Sequence, residues 1–327
     1  MRTKIRIGNR LLFASFILLI SYSCRVENDA ETTGGWKKFE GNPVLGGTFG
    51  TIFDVSVLKT EAGIFRMYCS WRPQKSIAIS ESSDGLKWSD PVICLSSNDS
   101  SGWESNVNRA VVLEKDNKYH MWYTGQAEVK GIGHSWIGYA TSTDGKTWIR
   151  MSDKPVLSPD KEWEKVAVMC PHVIWDEDEG IYKMWYSGGE QYEPDAIGYA
   201  TSTDGLNWEK YPQNPVFSSD KTNKWEQAKV TACQVIKRND EYLMFYIGFM
   251  NVDYAQIGVA RSKNGISGWE RYRNNPIIKP GMGWDSSAVY KPYAIQDQNR
   301  WLLYYNGRRN DSEQIGIAIK ETDNPGF

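Results

Sequence analysis

The sequence is poor in the residues that usually bind metal ions. Three histidines occur in 327 residues, and no two of the five cysteines are separated by only two residues. Spacings of that kind mark zinc sites and redox-active pairs, so no metal site and no cofactor is predicted. Four cysteines are instead expected to be small buried side chains. They are Cys69, Cys94, Cys170 and Cys233.

The sequence also has little net charge. Thirty-eight lysines and arginines stand against forty aspartates and glutamates, a formal net charge of −2, and 40% of the residues are hydrophobic. Nucleic-acid binding usually requires a strongly basic surface, and disordered chains have fewer hydrophobic residues and more net charge. The composition therefore predicts a globular protein without a nucleic-acid partner.

The N-terminus contains an apolar run that is too short to span a bilayer. This run, Leu11–Ile20, follows a basic start that includes Arg2 and Arg10. A basic start and a short apolar run are typical of a signal peptide. We therefore expect residues 1–23 to be a signal peptide and the protein to be exported.

Cys24 follows this segment directly. The polar stretch after it, up to Gly34, resembles the tether of a bacterial lipoprotein. The resemblance implies that residues 24–34 are a tether and that a lipid on Cys24 anchors the protein to a membrane, on its periplasmic or cell-surface side. Ordinary cleavage after Ser23 is the alternative, because Ser21-Tyr22-Ser23 also has the small-x-small pattern of a cleavage site.

A repeat dominates the rest of the sequence. The segments SIAISESSDGLKW, WIGYATSTDGKTW, AIGYATSTDGLNW and QIGVARSKNGISGW place Ile77, Ile137, Ile197 and Ile257 sixty residues apart, and a fifth copy places Ile315 at the same point. Two strand-like segments precede each copy, and Asp-Gly or Asn-Gly in the first four copies predicts a hairpin to a fourth strand. The sequence therefore predicts an all-β fold, a five-bladed β-propeller with four-stranded antiparallel blades, over residues 35–327.

The first strand-like segment of the predicted domain resembles the end of a repeat. WKKFEGNPVL begins at Trp36, and it is similar to NWEKYPQNPVF from Asn207 and GWERYRNNPII from Gly268. The fifth copy has no such segment after Ile315. We therefore expect the N-terminal strand to complete the last blade and close the ring, because closure removes an exposed sheet edge.

The repeat IGYATSTDG, with NW and NPV after it, resembles that of the five-bladed propeller glycosidases. This group includes glycoside hydrolase families 43, 32 and 62 and the mannoside phosphorylases of family 130. The resemblance covers the chain from Trp36 onward and implies the propeller fold and an activity on glycosidic bonds. Fifteen tryptophans and eighteen tyrosines agree with a carbohydrate partner, because flat aromatic rings stack on sugar faces.

Blades of this kind bring the starts of their first strands to one mouth of the propeller. Counting eleven residues back from the aromatic residue of the second strand gives Asp54, Asn108, Thr231 and Tyr290, and the third blade, with one extra residue, gives Cys170. Asp54 is the only carboxylate among them. FDVSVLK resembles the family 43 segment whose aspartate acts as general base, which implies that role for Asp54. An aspartate that caps a strand is the alternative.

The other two acids of family 43 are missing, because their positions contain Cys170 and Thr231. Glu190, in the loop SGGEQYEPDA, has no counterpart in the other blades. We expect it to be the general acid, with Glu104 as the second choice and Glu226 as the third. A surface position for Glu190, and acids bonded to turns for the two Trp-Glu pairs, are the alternatives.

The rest of the mouth is basic and aromatic. Guanidinium groups bind hydroxyl pairs and acidic groups, and indoles stack on sugars, so this mouth suits a carbohydrate, an acidic sugar or a phosphate. The expected substrate-binding residues are Trp71, Arg72, Asn108, Arg109, His172, Lys291, Arg308 and Arg309.

The predicted function is a glycoside hydrolase for a plant or microbial polysaccharide or oligosaccharide, similar to family 43 enzymes for arabinofuranosides or xylosides. One carboxyl group protonates the leaving oxygen, and a second activates water or attacks the sugar. A phosphorylase similar to family 130 and a non-catalytic glycan-binding propeller are the alternatives. Phosphate dependence separates the first two, and binding without turnover identifies the third.

Cys24→Ala is expected to release the protein from the membrane fraction, because lipid attachment requires this thiol. Fractionation of cells that produce the wild-type protein or the variant, with immunodetection in each fraction, measures the effect. Cys94→Ala, outside the predicted tether, is the control. Unchanged membrane fractionation of Cys24→Ala would favour plain secretion or another anchor.

Overall fold

The computed structural model describes residues 31–191 and 194–327. These residues contain 21 β-strands and four short 3-10 helices, so the all-β prediction is confirmed. The predicted signal peptide, Cys24 and most of the predicted tether lie outside the described residues. No helix in the described part of the chain is both long and apolar enough to cross a bilayer.

The strands form four sheets, three with four strands and one with nine, and the nine-stranded sheet consists of two antiparallel parts, so five antiparallel units can be described. The short strand β1 (Lys37–Lys38) comes before them in the chain. Unit 1 contains β2 (Ile52–Lys59), β3 (Phe65–Trp71), β4 (Ser76–Ser82) and β5 (Val92–Leu95). Unit 2 contains β6 (Asn106–Lys115), β7 (Lys118–Val129), β8 (Ile132–Ser142) and β9 (Ile149–Arg150). Unit 3 contains β10 (Ala167–Asp176), β11 (Ile181–Gly189), β12 (Ala196–Ser202) and β13 (Glu209–Lys210), and β14 (Phe217–Ser218) also pairs with β12.

Units 4 and 5 have the same arrangement. Unit 4 contains β15 (Lys229–Arg238), β16 (Glu241–Phe249), β17 (Ala255–Ser262) and β18 (Glu270–Arg271). Unit 5 contains β19 (Ala288–Asp297), β20 (Arg300–Arg309), β21 (Ser312–Lys320) and, as its fourth strand, β1. A single parallel bridge between Ala167 and Ser135 joins the sheets of units 2 and 3.

The N-terminal segment takes the place of a fourth strand in unit 5. Strand β1 pairs antiparallel with β21. The Asn42 side chain donates to the carbonyl of Ile317 at 2.9 Å and accepts the N–H of Ile317 at 2.8 Å. Asn214 and Asn275 make the same two bonds to the third strands of units 3 and 4. The sequence similarity of these segments therefore corresponds to one shared role in the fold.

Units 2 to 5 each bury one acidic side chain that a fourth strand neutralises. In unit 3, Glu164 accepts the hydroxyl proton of Tyr186 at 2.7 Å, and the ammonium group of Lys210 on β13 lies 2.7 Å from it. In unit 5 the buried acid is Asp285, and Lys38 Nζ lies 2.7 Å from its Oδ2. The N-terminal strand therefore supplies the cation that the buried acid of unit 5 requires.

The Asp-Gly and Asn-Gly turns connect each unit with the unit before it. In unit 2, Ser142 Oγ accepts the N–H of Gly145 at 2.8 Å, and glycine tolerates the φ of 71° found there. The carbonyl of Gly145 accepts the hydroxyl proton of Tyr68 in unit 1 at 2.8 Å. Tyr304 of unit 5 bonds to the carbonyl of Gly85 in unit 1 in the same way, at 2.8 Å. Neighbouring first strands also contact one another, and β19 contacts β2.

Polar side chains link the first strands across the middle of the domain. His172 Nε2 donates to the carbonyl of Val235 at 2.8 Å, and the side-chain amide of Gln234 makes two bonds with the backbone of Ala294. The ring of His172 also packs edge-on against Tyr293, with 6.1 Å between ring centres. His172 is therefore a buried structural link between strands of three units.

Lys38→Ala is expected to lower the free energy of unfolding by about 3 kcal/mol, because it leaves the Asp285 carboxylate buried without its cation. Urea unfolding followed by tryptophan fluorescence measures the change. Lys37→Ala is the matched control, since Lys37 is the exposed neighbour on the same strand, and we expect a change of at most about 0.5 kcal/mol. Equal unfolding curves for the two variants would contradict the role of β1 in unit 5.

The stability of the protein is expected to depend on the protonation of His172. Burial lowers the pKa of His172 to about 3, whereas an unfolded histidine has a pKa of about 6.5. As the pH falls below about 6.5, the unfolded chain therefore binds a proton that the folded chain excludes. This difference lowers the free energy of unfolding by about 2 kcal/mol between pH 7 and pH 5.

His172→Asn should remove this part of the acid sensitivity. Urea unfolding at pH 7 and pH 5 measures it, as the change in unfolding free energy between the two pH values for each protein. His134→Asn is the control, because the side chain of His134 stacks on Trp136 at the surface. The same pH dependence in wild type and His172→Asn would show that His172 does not exclude the proton.

Candidate active site

Each first strand contains a bulge that puts one residue in the left-handed region of backbone conformation. The ladder to the second strand shifts register at this point in all five units. Residues other than glycine rarely adopt a positive φ, and such positions often occur at functional sites. The bulged residues are Asp54, Arg109, Cys170, Ala232 and Lys291, with φ values of 52°, 55°, 53°, 35° and 41°.

The bulges are held by side chains of the neighbouring unit. The N–H of Arg109 donates to Ser70 Oγ at 2.8 Å, and the N–H of Asp54 donates to Asn306 Oδ1 at 3.4 Å. Cys170 and Ala232 make the equivalent bond to hydroxyl groups of units 2 and 3. The bond between Asn306 and Asp54 joins unit 5 to unit 1. The last unit thus contacts the first unit through the same kind of bond that joins the other neighbouring units.

The bulges correct the positions that counting along the sequence assigns. Asn108, Thr231 and Tyr290 each lie one residue before the bulged position, so Arg109, Ala232 and Lys291 are the true counterparts of Asp54. The count of eleven residues includes the turn between the first two strands of each unit. This turn is longer in unit 1 than in units 2, 4 and 5, so the same count goes one residue too far back in those three units. Asp54 is still the only carboxylate at the bulged position.

Four of the five bulged residues line one cavity of about 380 Å³, a volume in the range of small-ligand sites. Four of the residues expected from the sequence to bind substrate also line this cavity, one of which, Arg109, is a bulged residue. They are Arg72, Asn108, Arg109 and Arg308. This cavity is therefore the candidate active site.

Arg109 and a chain of amides hold Asp54 in place. The Asp54 side chain is 8% exposed, and its Oδ2 lies 3.0 Å from Arg109 Nε. Arg109 also donates to Asn108 Oδ1 at 2.8 Å, and the Asn108 amide donates to Gln126 Oε1 at 2.7 Å. Gln126 in turn bonds to Ser135 at 3.0 Å. Asp54 thus has a defined orientation in the cavity.

Glu313 is a second carboxylate of this cavity, and sequence reasoning missed it. It lies on β21, its side chain is 11% exposed, and its Oε2 is 2.7 Å from an Nη of Arg72. The ring of Phe53 lies beside the guanidinium groups of Arg72 and Arg109, at 4.6 Å and 5.5 Å. A signal was present, because the residue two positions before the repeated isoleucine differs in every unit. These residues are Lys75, Ser135, Asp195, Ala255 and Glu313.

The candidate acids chosen from the sequence lie elsewhere. Glu104 is 1% exposed, accepts the hydroxyl proton of Tyr123 at 2.8 Å and pairs with Arg150 Nε at 2.9 Å, the pattern of the buried acids of the other units. Glu190 is exposed and pairs with Lys165 Nζ at 2.8 Å. Neither of them lines the cavity of Asp54.

Glu226, the third choice, is another of the buried acids. It is 0% exposed, and burial raises its pKa. Removal of the carboxyl group from water raises this pKa, and the ion pair with Arg271 of β18 acts in the opposite direction. Its position in unit 4 matches that of Glu104 in unit 2, so it also lies outside the cavity.

Four other residues assigned to substrate binding also lie outside the cavity. Trp71 donates its indole N–H to the carbonyl of Phe49 at 2.8 Å, and Arg309 is exposed. Lys291 is 3% exposed at a bulged position but does not line the cavity. His172 lines a different cavity, of about 750 Å³. Among the described residues, no group of three His, Cys, Asp or Glu side chains is placed to hold a metal ion.

Comparison with known proteins identifies a phosphorylase and an uncharacterized protein as similar to this chain. The chain is 29% identical over 194 residues to a 1,2-beta-oligomannan phosphorylase of Thermoanaerobacter sp. (strain X514), which is 58% of this chain and 59% of that protein. It is 28% identical over 193 residues to an uncharacterized protein of Mycobacterium tuberculosis, 57% of this chain and 61% of that one. The chain thus spans about three fifths of the length of these two relatives.

Solved structures and a family model agree on the fold. A thermostable family-43 glycoside hydrolase superimposes with a TM-score of 0.66 at 21% identity, over 87% of this chain and 98% of that one. The model of the glycosyl hydrolases family 32 N-terminal domain matches residues 58–234, which is more than half of the chain. The chain therefore belongs to the family of the glycosyl hydrolases family 32 N-terminal domain.

Proposed function

We propose that the protein hydrolyses a glycosidic bond of an oligosaccharide or polysaccharide in the cavity of Asp54. The observation that carries this proposal is that two of the three carboxylates that line one cavity, Asp54 and Glu313, are each in an ion pair with an arginine. Hydrolysis of a glycoside requires two carboxyl groups on opposite sides of the bond. Membership of the glycosyl hydrolase family supports the same reaction class.

The two carboxylates receive different roles in this proposal. Asp54, on a first strand, activates the attacking water or attacks the sugar itself. Glu313, on the third strand of unit 5, protonates the leaving oxygen, and it replaces Glu190 and Glu104 as first choice for the acid.

Phosphorolysis is the second candidate function, and the similarity to a mannan phosphorylase favours it. The charge of the cavity argues against it. The cavity is lined by three arginines and by three carboxylates, Asp54, Asp311 and Glu313. A phosphate, with up to two negative charges, needs a surplus of positive charge. The guanidinium groups of Arg72 and Arg109 already pair with Glu313 and Asp54, and that of Arg308 bonds to the carbonyl of Asp253.

Two further proposals concern the architecture and the location of the protein. We propose that the five units are the blades of a five-bladed β-propeller, with β1 closing the last blade. The support is the contact between β19 and β2 and the bond from Tyr304 to Gly85. We also propose export and a lipid anchor on Cys24, for which the sequence of the first 34 residues is the support.

Asp54→Asn is expected to reduce turnover of every substrate at least about a thousandfold while binding is kept, because the amide has the same shape but cannot accept a proton. Glu313→Gln should reduce turnover of natural glycosides about a hundredfold and that of activated aryl glycosides only mildly, since aryl groups leave without a proton. The assay uses oligosaccharides of arabinan, xylan and β-1,2-mannan, and aryl glycosides, each with and without phosphate.

Glu190→Gln is the matched control, because Glu190 is an exposed carboxylate outside the cavity, and we expect the wild-type rate. A selective loss on natural glycosides in Glu190→Gln, with none in Glu313→Gln, would return the acid role to Glu190. Turnover that requires phosphate would establish the phosphorylase. Full activity of Asp54→Asn would overturn the proposed site, and sugar binding without turnover by the wild-type protein would identify a glycan-binding module.

A further inference from the structure

The cavity of Asp54, the inner cavity, adjoins a second, outer cavity of about 550 Å³. The two cavities share Arg308, Asn310 and Asp311 as lining residues. The outer cavity lies on the boundary between units 4 and 5, where the loop after β16 faces the segment before β19. Its other lining residues are Met250, Asn251, Asp253, Tyr254, Ser286 and Ser287.

The loop that forms the outer cavity is held in its shape. Asn251 Oδ1 accepts the N–H groups of Asp253 at 3.0 Å and Tyr254 at 2.9 Å. An Nη group of Arg308 donates to the carbonyl of Asp253 at 2.8 Å. Arg308 therefore ties the loop to the wall of the inner cavity, and a ligand meets a preformed surface at low entropic cost.

The inner cavity has an unsatisfied polar group on this same side. Thr231 lines it and is 2% exposed, and its hydroxyl has no hydrogen-bond partner among the described residues. A buried hydroxyl without a partner is costly, so a ligand that bonds to it regains that energy. Ile247 and Tyr290 line the cavity beside it, from units 4 and 5. The inner wall at this boundary therefore offers both an apolar face and a hydrogen-bonding group to a sugar ring.

The cavity that includes His172 has no such connection with the cavity of Asp54. The cavity of about 750 Å³ that includes His172 shares no lining residue with the cavity of Asp54. Between the first strands, the side chain of Gln234 bonds to the backbone of Ala294, and His172 bonds to Val235. The outer cavity is therefore the neighbour of the inner cavity into which a longer ligand can extend, and the cavity of His172 is separate from it.

We propose that the outer cavity binds a second sugar unit of the substrate, so that the protein acts on oligosaccharide chains that lie along the boundary of units 4 and 5. Thr231 binds the sugar in the inner cavity, Tyr254 provides a face for the next sugar, and Arg308 lies between them and contacts both. This inference rests on the proposed function, because it assumes that the ligand of the inner cavity is a carbohydrate.

The test measures binding by the Asp54→Asn protein to an array of arabinan, xylan and β-1,2-mannan fragments of one to four sugar units. We expect fragments of two or more units to bind at least tenfold more tightly than the matching monosaccharide. Tyr254→Ala, added to Asp54→Asn, should weaken binding of the longer fragments about tenfold and leave monosaccharide binding unchanged. Thr231→Val should weaken binding of all lengths by the same factor, about fivefold, and Thr231→Ser should restore it.

Val252→Ala is the matched control, because Val252 belongs to the same loop and is 74% exposed but does not line the outer cavity. Equal binding of monosaccharides and longer fragments, or equal effects of Tyr254→Ala and Val252→Ala, would overturn the second site while wild-type turnover still supports the proposed function. No binding of any fragment, together with no turnover by the wild-type protein, would overturn both.

Discussion

The left-handed residue in each first strand is the constraint on which the candidate site depends. The bulge bends the end of the strand and re-aims its side chains, and it does so at five equivalent places. The backbone of the repeat is therefore kept while its side chains vary. Asp54 and Arg109 occupy adjacent bulges and form an ion pair, and the small Cys170 and Ala232 leave room beside them. The five units share the backbone geometry of the bulge but have different side chains there, and this difference produces the candidate site.

The N-terminal strand and the site meet at the same boundary. Strand β1 pairs with β21, and β21 contains Glu313, which reaches Arg72 of unit 1. Asn306 of the adjacent strand β20 holds the bulge of Asp54 across the same boundary. The buried pair of Lys38 and Asp285 fixes β1 in unit 5. The contacts that join the last unit to the first thus also orient both carboxylates of the proposed mechanism.

The sequence predicts the scaffold better than the site, for a physical reason. Repeated strands, Asp-Gly turns and the NPV segments are local patterns, so the strand composition of the units and the place of β1 can be predicted. Asp54 can be found because it breaks the repeat. Glu313 lies at a position that differs in every unit, and this position is at the start of a third strand, which a count from the first strand does not reach. Glu190 also breaks the repeat, and yet it lies on the surface, because a loop residue without a counterpart has no fixed direction.

The number of arginines in such a cavity does not by itself indicate whether water or phosphate would be the acceptor. An arginine opposite a carboxylate orients that carboxylate, and its charge is already compensated. An arginine without such a partner attracts an anion. In this chain Arg72 and Arg109 face Glu313 and Asp54. Loss of Glu313 in a relative with the same arginines would remove a carboxylic acid and leave the cavity with a surplus of positive charge. In this cavity the carboxylates Glu313 and Asp54 therefore compensate two of the three arginines, and Arg308 is held by a carbonyl group instead.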